Sequence, residues 1–518
     1  MSTNKSIAKS AGIIGFATFC SRILGFCRDV VIARLFGVYL YAQAFVIAFR
    51  IPNLFRDLVA EGAANAAVVP VLSEYSAKHS KEAFWEAANV ILNLLLVIAM
   101  SITILGMVFS PFLVRIIAPG FAIDPQKLAT TIALNRIIFP YILLISLAAY
   151  CMAILNTLKH FSVPAFAPCL LNISIIAFAL LLGEGIKGLA LGVLVGGLLQ
   201  LAVQIPVLYA KGFRLKLFQK FRHPVARQIG TLMLPRLLSS CIYQLNNFVD
   251  SIFGSLAIIV GEGGVAILYF SYRLVQFPLG IFSASLSQAI LPALSTQALE
   301  QGHARLKQTF SFGLRATFFV MLPASVGLIV LPQFIIQSLF GGGRFDSYSI
   351  QATSRVLLFY SIGLCAYGTT RIAQACFFAL KDTVTPTKVS ALALALNIIL
   401  NALLMFPLKI SGLALATSVS GILSCLVLLR ALHRRLQPFT ARPIAASFLK
   451  IVCASCGMGF ICYVASMYWL IPKSSLFFRA VNLGIVVSAA AVAYVAFCFL
   501  FRVNELGELW RWAREKRG

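Results

Sequence analysis

Acidic side chains are scarce in this chain. Sixteen aspartates and glutamates stand against 43 lysines and arginines, and charged residues of both signs make up only 11% of the 518 positions. So little charge, beside 60% hydrophobic residues, excludes a water-soluble domain of ordinary makeup. Catalytic signatures are missing as well: no Walker A loop, HExxH or GxSxG occurs, and His79, His160, His223, His303 and His433 all fall in expected loops. An enzyme is therefore not expected. The twelve cysteines have no framework spacing. Cys453 and Cys456 form a CxxC inside an apolar stretch with no second pair, which reads as small core residues and not as a metal or redox centre.

What fills the chain instead is apolar runs of roughly 20 residues, the length that crosses a bilayer. Fourteen are expected, near 12–34, 39–64, 87–113, 133–157, 164–183, 187–209, 229–256, 264–290, 311–334, 352–376, 387–407, 411–431, 446–470 and 477–501. The expected fold class is all-α, a polytopic membrane protein. Basic residues concentrate in the loops after even-numbered spans: Lys78 and Lys81, Lys159, the stretch Lys211 to Arg227, Arg305 and Lys307, Lys381 and Lys388, and Arg430 to Arg442. By the positive-inside rule these loops and both termini face the cytoplasm. The net charge of +27 thus reads as anchors beside anionic membrane lipid, not as a nucleic-acid surface.

The chain also resembles itself. Ala67-Val-Val-Pro-Val-Leu-Ser73 returns as Ala289-Ile-Leu-Pro-Ala-Leu-Ser295, and Leu158-Lys159 through Pro164 returns as Leu380-Lys381 through Pro386, both 222 residues later. Gly188-Leu-Ala-Leu191 returns as Gly412-Leu-Ala-Leu415 at an offset of 224. An offset of six spans, an even number, requires both copies to enter the membrane in the same sense, giving a parallel repeat. The expected organisation is an N-terminal lobe 1–210, a basic linker 211–228, a C-terminal lobe 229–432, two further spans within 443–502, and a basic tail 503–518.

Ionised groups inside apolar spans cost on the order of 2.5–3.5 kcal/mol each. The first two spans nevertheless contain Ser21, Arg22, Arg28 and Asp29, then Arg50, Asn53, Arg56, Asp57 and Glu61, and the second lobe contains Arg273 with Gln276 one turn on. At about 100° per residue, Ser21, Arg22, Arg28 and Asp29 fit one polar sector of a helix. Two readings stay open at this point. The arginines pair with Asp29, Asp57 and Glu61 as polar glue, or they line a hydrated cavity for an anion, for which a guanidinium fork suits a phosphate. A second group, Asp250 with Asn246 and Asn247, Asn397, Asn401 and Thr417, offers oxygens to a small hard cation such as Na+. Interhelical hydrogen bonding accounts for its amides and hydroxyl equally well.

Ser21-Arg-Ile-Leu-Gly-Phe-Cys-Arg-Asp29, Arg50-Ile-Pro-Asn-Leu-Phe-Arg56, Ala60-Glu-Gly62, Ala118-Pro-Gly-Phe121, Phe139-Pro-Tyr-Ile142 and Pro164-Ala-Phe-Ala-Pro168 resemble, in order, segments of the MurJ (MviN) family, the lipid II flippases of peptidoglycan synthesis. The resemblance implies the multidrug/oligosaccharidyl-lipid/polysaccharide exporter fold: two six-helix lobes related by a parallel pseudo-two-fold repeat, plus two C-terminal helices forming a groove for the lipid tail. It implies that Ser21, Arg22, Arg28, Asp29, Arg56 and Arg273 engage the headgroup pyrophosphate. Glu61 and Gly62 would flank a lateral portal, and Asp250, Asn397, Asn401 and Thr417 would sit where some members bind sodium. Certain relatives carry acids where this chain has Gln43, Gln276 and Asn401, which leaves the cavity here more positive. The expected protein is a monomeric carrier of lipid II in the bacterial inner membrane, with Na+ as its sole candidate cofactor. The rivals are a flippase for another undecaprenyl-linked glycan, a multidrug exporter, for which an acidic cavity would be expected, and a non-transporting scaffold.

Overall fold

A computed structural model describes residues 3–56, 68–183, 185–217, 223–436, 442–468 and 476–505, with Gly507. Among these residues the protein is all-α, and the one β feature is an isolated bridge between Gly342 and Phe345. The chain divides into two compact units, Met1–Leu256 and Ala257–Gly518.

The first unit opens with a 34-residue helix, α1 (Thr3–Phe36), ended by Gly37 at φ 62°. Then come α2 (Leu40–Arg56), α3 (Val69–Lys78), α4 (Lys81–Val108) and α5 (Ser110–Ile117). Next, α6 (Pro125–Ile138) and α7 (Tyr141–Thr157) form one broken span, interrupted at Phe139-Pro140 where proline supplies no N–H. The unit is completed by α8 (Ser162–Leu181), α9 (Ile186–Ala202), α10 (Ile205–Ala210) and α11 (Pro224–Gly254), the last packing on α3, α4 and α5.

In the second unit α12 (Ala257–Val260) is followed by α13 (Gly264–Pro278) and α14 (Ala284–Gln297), joined by a π-helical turn over Leu279–Ser283 directly after Pro278. Then follow α15 (Ala304–Val330), α16 (Pro332–Leu339), α17 (Ser347–Ile362) and α18 (Leu364–Ala379), the last two bent by 42° at Gly363. The unit ends with α19 (Val384–Leu408), α20 (Ile410–Arg435), α21 (Arg442–Tyr468) and α22 (Leu476–Leu500). Large apolar side chains stay outside: Phe460 on α21 is 70% exposed and Val492 on α22 71%. Surfaces this apolar are solvated by lipid.

Every expected span is mostly helical over its described residues, but among the described residues ten helices are long and apolar enough to cross a membrane, or eleven if α17 and α18 count as one. α1, α2 and α11, which complete the expected fourteen, are not among them. Among the described residues, the apolar body of α1 carries Arg22, Arg28 and Asp29, and α2 spans 17 residues. The helices also overrun the expected spans, because caps and not hydropathy end them. The span expected at 133–157 begins at Pro125, where Asp124 Oδ1 accepts the Lys127 N–H at 3.0 Å.

The repeat is carried by these caps. Asp346, 222 residues after Asp124, caps α17 in the same way, accepting the Ser349 N–H at 2.9 Å. Lys159 and Lys381 both adopt φ 58° after α7 and α18. The bonds around them match: His160 N–H to Leu155 O at 2.8 Å and Lys159 N–H to Asn156 O at 3.0 Å, against Asp382 N–H to Phe377 O at 2.9 Å and Lys381 N–H to Phe378 O at 3.0 Å. Each is a Schellman closure, with lysine accepting the left-handed conformation usually left to glycine.

The copies differ one residue on, where His160 corresponds to Asp382. Asp382 accepts from the Thr385 N–H at 2.9 Å and its hydroxyl at 2.8 Å and pairs with Arg435. The Thr385 backbone bond foremost, then its hydroxyl and the Arg435 guanidinium, hold the Asp382 carboxyl below the usual aspartate range. A depressed folded pKa gives stability that is complete above the unfolded value, near ~3.9, and lost as pH falls through the folded one. Asp382→Asn is expected to cost about 0.5–2 kcal/mol at neutral pH, the range for a lost cap. The gap in thermal unfolding between variant and parent should close as the pH is lowered below about 4.

Candidate functional site

Of the expected anion-binding residues of the first unit, Arg28, Asp29 and the Ser21 backbone meet where α1 crosses α2 and α8. Arg28 is 5% exposed and Asp29 0%. The Arg28 Nη2 and Nε donate to Asp29 Oδ1 at 2.7 and 3.1 Å, Nη1 donates to Asn172 Oδ1 at 3.2 Å, and the guanidinium lies 5.8 Å from the Phe49 ring centroid. Asn172 on α8 in turn donates to the Ser21 carbonyl at 3.2 Å. Arg28 is thus held by a carboxylate, an amide and an aromatic face, an arrangement that removes its charge from bulk solvent and stiffens α1 against α8.

Arg22 has a different environment. It shares a helical stripe with Asp29 yet is exposed while Asp29 is fully buried. A shared stripe is a property of one helix; burial depends on what covers it, and α2 and α8 cover the Arg28–Asp29 turn. The polar sector expected from periodicity is therefore split into a buried ion pair and an exposed cation. Arg50, half-buried on α2, bonds to the Ser251 hydroxyl on α11. Arg56 ends α2 and its side chain is outside the described residues, as are Asp57, Glu61 and Gly62.

In the second unit Arg273 is half-buried on α13, its guanidinium 5.6 Å from the Tyr269 ring centroid, with Gln276 half-buried one turn on. The π-helical turn begins three residues after Gln276. Such turns locally widen a helix and give it a place to bend.

Asn397, Asn401 and Thr417 do come together. Asn401 Nδ2 donates to Asn397 Oδ1 at 3.0 Å, Asn397 Nδ2 donates to Thr417 Oγ1 at 3.1 Å, and Thr417 Oγ1 donates to the Leu413 carbonyl at 3.1 Å. Both asparagines are fully buried, and Asn401 Oδ1 is the one acceptor of the three side chains left without a hydrogen bond. Asp250 belongs to α11 of the other unit. A neutral trio that satisfies itself down to one oxygen does not by itself make a cation site. Among the described residues no three His, Cys, Asp or Glu groups gather to hold a metal.

Several participants carry no signal in periodicity or motif. Asn172 was one polar residue in an apolar span, and only packing reveals that it joins Ser21 to Arg28. Arg355 and Arg371 lie within the span expected at 352–376, the former exposed and the latter half-buried, and their presence in an apolar run was the available signal. Glu505, expected in a basic tail, is 4% exposed and accepts from Arg315 at 3.0 Å and Ser447 at 2.6 Å.

A sequence profile of the family described as lipid II flippase MurJ matches residues 32–482. The chain is 33% identical to a probable lipid II flippase MurJ of Haemophilus influenzae over 511 residues, covering 94% of this chain and 98% of that one. It is 36% identical to the corresponding protein of Buchnera aphidicola subsp. Acyrthosiphon pisum over 426 residues, covering 82% and 83%. A solved lipid II flippase MurJ in an inward closed conformation superposes with a TM-score of 0.78 at 28% identity, over 94% of this chain and 98% of that one. A multidrug MATE transporter in an inward-facing conformation, at 15% identity, shares the fold with a TM-score of 0.69 over 81% and 95%. With the profile spanning most of its length and relatives at a third identity spanning nearly all of it, this multi-pass membrane protein belongs to the lipid II flippase MurJ family.

Proposed function

We propose that the protein carries undecaprenyl-pyrophosphate-linked peptidoglycan precursor, lipid II, from the cytoplasmic to the periplasmic leaflet of a bacterial inner membrane, with both termini cytoplasmic. Family membership supports the substrate class. The observation that carries the residue assignment is burial: Arg28 is enclosed at 5% exposure, whereas Arg22 is exposed on α1 and Arg273 half-buried on α13. A guanidinium presents five N–H donors in a planar fork, which suits a phosphate by paired charge-assisted bonds while the apolar tail stays in lipid.

In this reading Arg28, Asp29 and Asn172 position α1, and Arg22, Arg56 and Arg273 bind. The breaks at Phe139-Pro140, Leu279–Ser283 and Gly363 are the places where helices flex as access alternates. Membrane potential, inside negative, assists the outward movement of an anionic headgroup by about 2.3 kcal/mol per charge per 100 mV. No covalent chemistry is required, which fits a transporter and not an enzyme.

The test is replacement. In a bacterium depleted of its own lipid II flippase, the parent protein should restore labelled lipid II to the outer leaflet. Arg22→Ala and Arg273→Ala should each lose at least 90% of that exposure, about a 1.4 kcal/mol effect, while unfolding at the parent temperature in detergent. Restored growth without outer-leaflet lipid II would refute the assignment.

A further inference from the structure

The basic stretch after α10 is not a slack tether. Gly212 turns the chain at φ 101°, and Phe213 drops into an aromatic pocket, 5.6 Å from Trp85 and 6.2 Å from Tyr209 by ring centroids. From there the chain runs without helix to Leu217 along α4, clasped by two amides one turn apart. Asn89 Nδ2 donates to the Arg214 carbonyl at 3.0 Å, Asn89 Oδ1 accepts the Lys216 N–H at 2.9 Å, and Asn93 Nδ2 donates to the Lys216 carbonyl at 3.0 Å. Asn89 is 5% exposed and Asn93 1%, so these bonds to the strap are made away from solvent.

Non-helical backbone beside a membrane span must have its polar groups satisfied by protein, and the two asparagines do this. Alternation along an extended segment puts Phe213, Leu215 and Leu217 on one face and Arg214 and Lys216 on the other. Leu215 and Leu217 are each 46% exposed, and the lipid-exposed surface of α4 begins just beyond, at Val97 and Ile98. Arg214 curls over the Tyr209 ring at 5.7 Å, its Nη1 donating to the Tyr209 and Phe213 carbonyls at 3.3 and 3.0 Å. Lys211–Leu217 carries three cations and no acid.

We propose that this strap is a docking strip for anionic phospholipid: Leu215 and Leu217 seat at the acyl boundary, and Lys211, Arg214 and Lys216 hold the phosphodiester headgroups of that leaflet. An amphipathic strip of alternating leucine and cation, fixed at the polar edge of a span, has a bilayer surface as its complement in both apolarity and charge. The strip is separate from the arginines assigned to the transported headgroup.

The test uses Trp85 as a local reporter. In full-length protein with Trp469, Trp510 and Trp512 changed to phenylalanine, Trp85 fluorescence is quenched in liposomes by phosphatidylglycerol or phosphatidylcholine with brominated acyl chains. The parent should prefer phosphatidylglycerol, and Lys211→Gln/Arg214→Gln/Lys216→Gln should cut that preference at least about fivefold, the worth of one interfacial cation. Asn89→Leu/Asn93→Leu, which keeps every charge but releases the strap, should cut it too. Equal quenching by both lipids in the parent, or a preference indifferent to the glutamines, overturns the proposal. A preference that survives the leucines overturns the built strip and leaves only diffuse charge. Arg430→Gln/Arg434→Gln, at a different basic segment, should leave Trp85 quenching unchanged.

Discussion

Arg28→Ala is expected to destabilise the folded protein by about 3–5 kcal/mol, the cost of breaking a buried ion pair from one side. The substitution leaves the fully buried Asp29 without its guanidinium and Asn172 Oδ1 without a donor that now reaches it at 3.2 Å. The loss arises mainly from the stranded charge, so removing that charge should return part of it. Arg28→Ala/Asp29→Asn should unfold at a higher denaturant concentration in micelles than Arg28→Ala alone. Lipid II exposure separates the roles further. Arg28→Ala should lose folded protein and transport together, whereas Arg22→Ala should lose transport alone. A double variant no more stable than the single one would show that the pair contributes nothing as a pair.

The second large effect is expected at Gly192. Gly188, Gly192 and Gly196 recur every four residues along α9 and face α8 so closely that a Cβ on each would stand 2.8 Å from Phe178 O, Ile175 Cα and Leu171 Cδ1 respectively. Helices within a bilayer gain nothing from excluding lipid, so close backbone approach at small residues supplies much of their attraction. Because the obstacle at Gly192 is backbone, no side-chain rotation relieves it. Gly192→Leu should cost at least the roughly 1–3 kcal/mol typical of overpacking and lower the yield of folded protein. Gly192→Ala should show a smaller fall in detergent unfolding temperature. Gly230 on α11, with nothing within 4 Å of its virtual Cβ, is the control: Gly230→Ala should be neutral or stabilising. Equal effects at 192 and 230 would contradict the packing argument.

Much of this molecule was legible before its structure. Apolar runs of bilayer length announced a polytopic helical protein, because hydrocarbon tolerates little else. The 222-residue recurrence announced the duplication, and the structure places matching helix boundaries, aspartate caps and left-handed lysines at that spacing. Charges in apolar runs pointed to α1, α2 and α13. Arg22, Arg28 and Asp29 in α1, and Asn246, Asn247 and Asp250 in α11, weaken the apolar signature of the spans that carry them.

What the residues determined alone was local: which segments are helical, where caps and prolines end them, and which helices carry a cation that lipid would reject. What only the tertiary structure decided was the environment of each cation. Arg22 and Asp29 share a stripe on a helical wheel, yet Arg22 is exposed and Asp29 fully buried against Arg28, which reaches across 144 positions of chain to Asn172. Lys216 looked like one more charge in a linker until Asn89, 127 positions away, took its N–H. Periodicity reports the direction in which a side chain leaves its own helix. Burial, pairing and the strength of a charge depend on the neighbouring helix, which the chain supplies from far away in sequence.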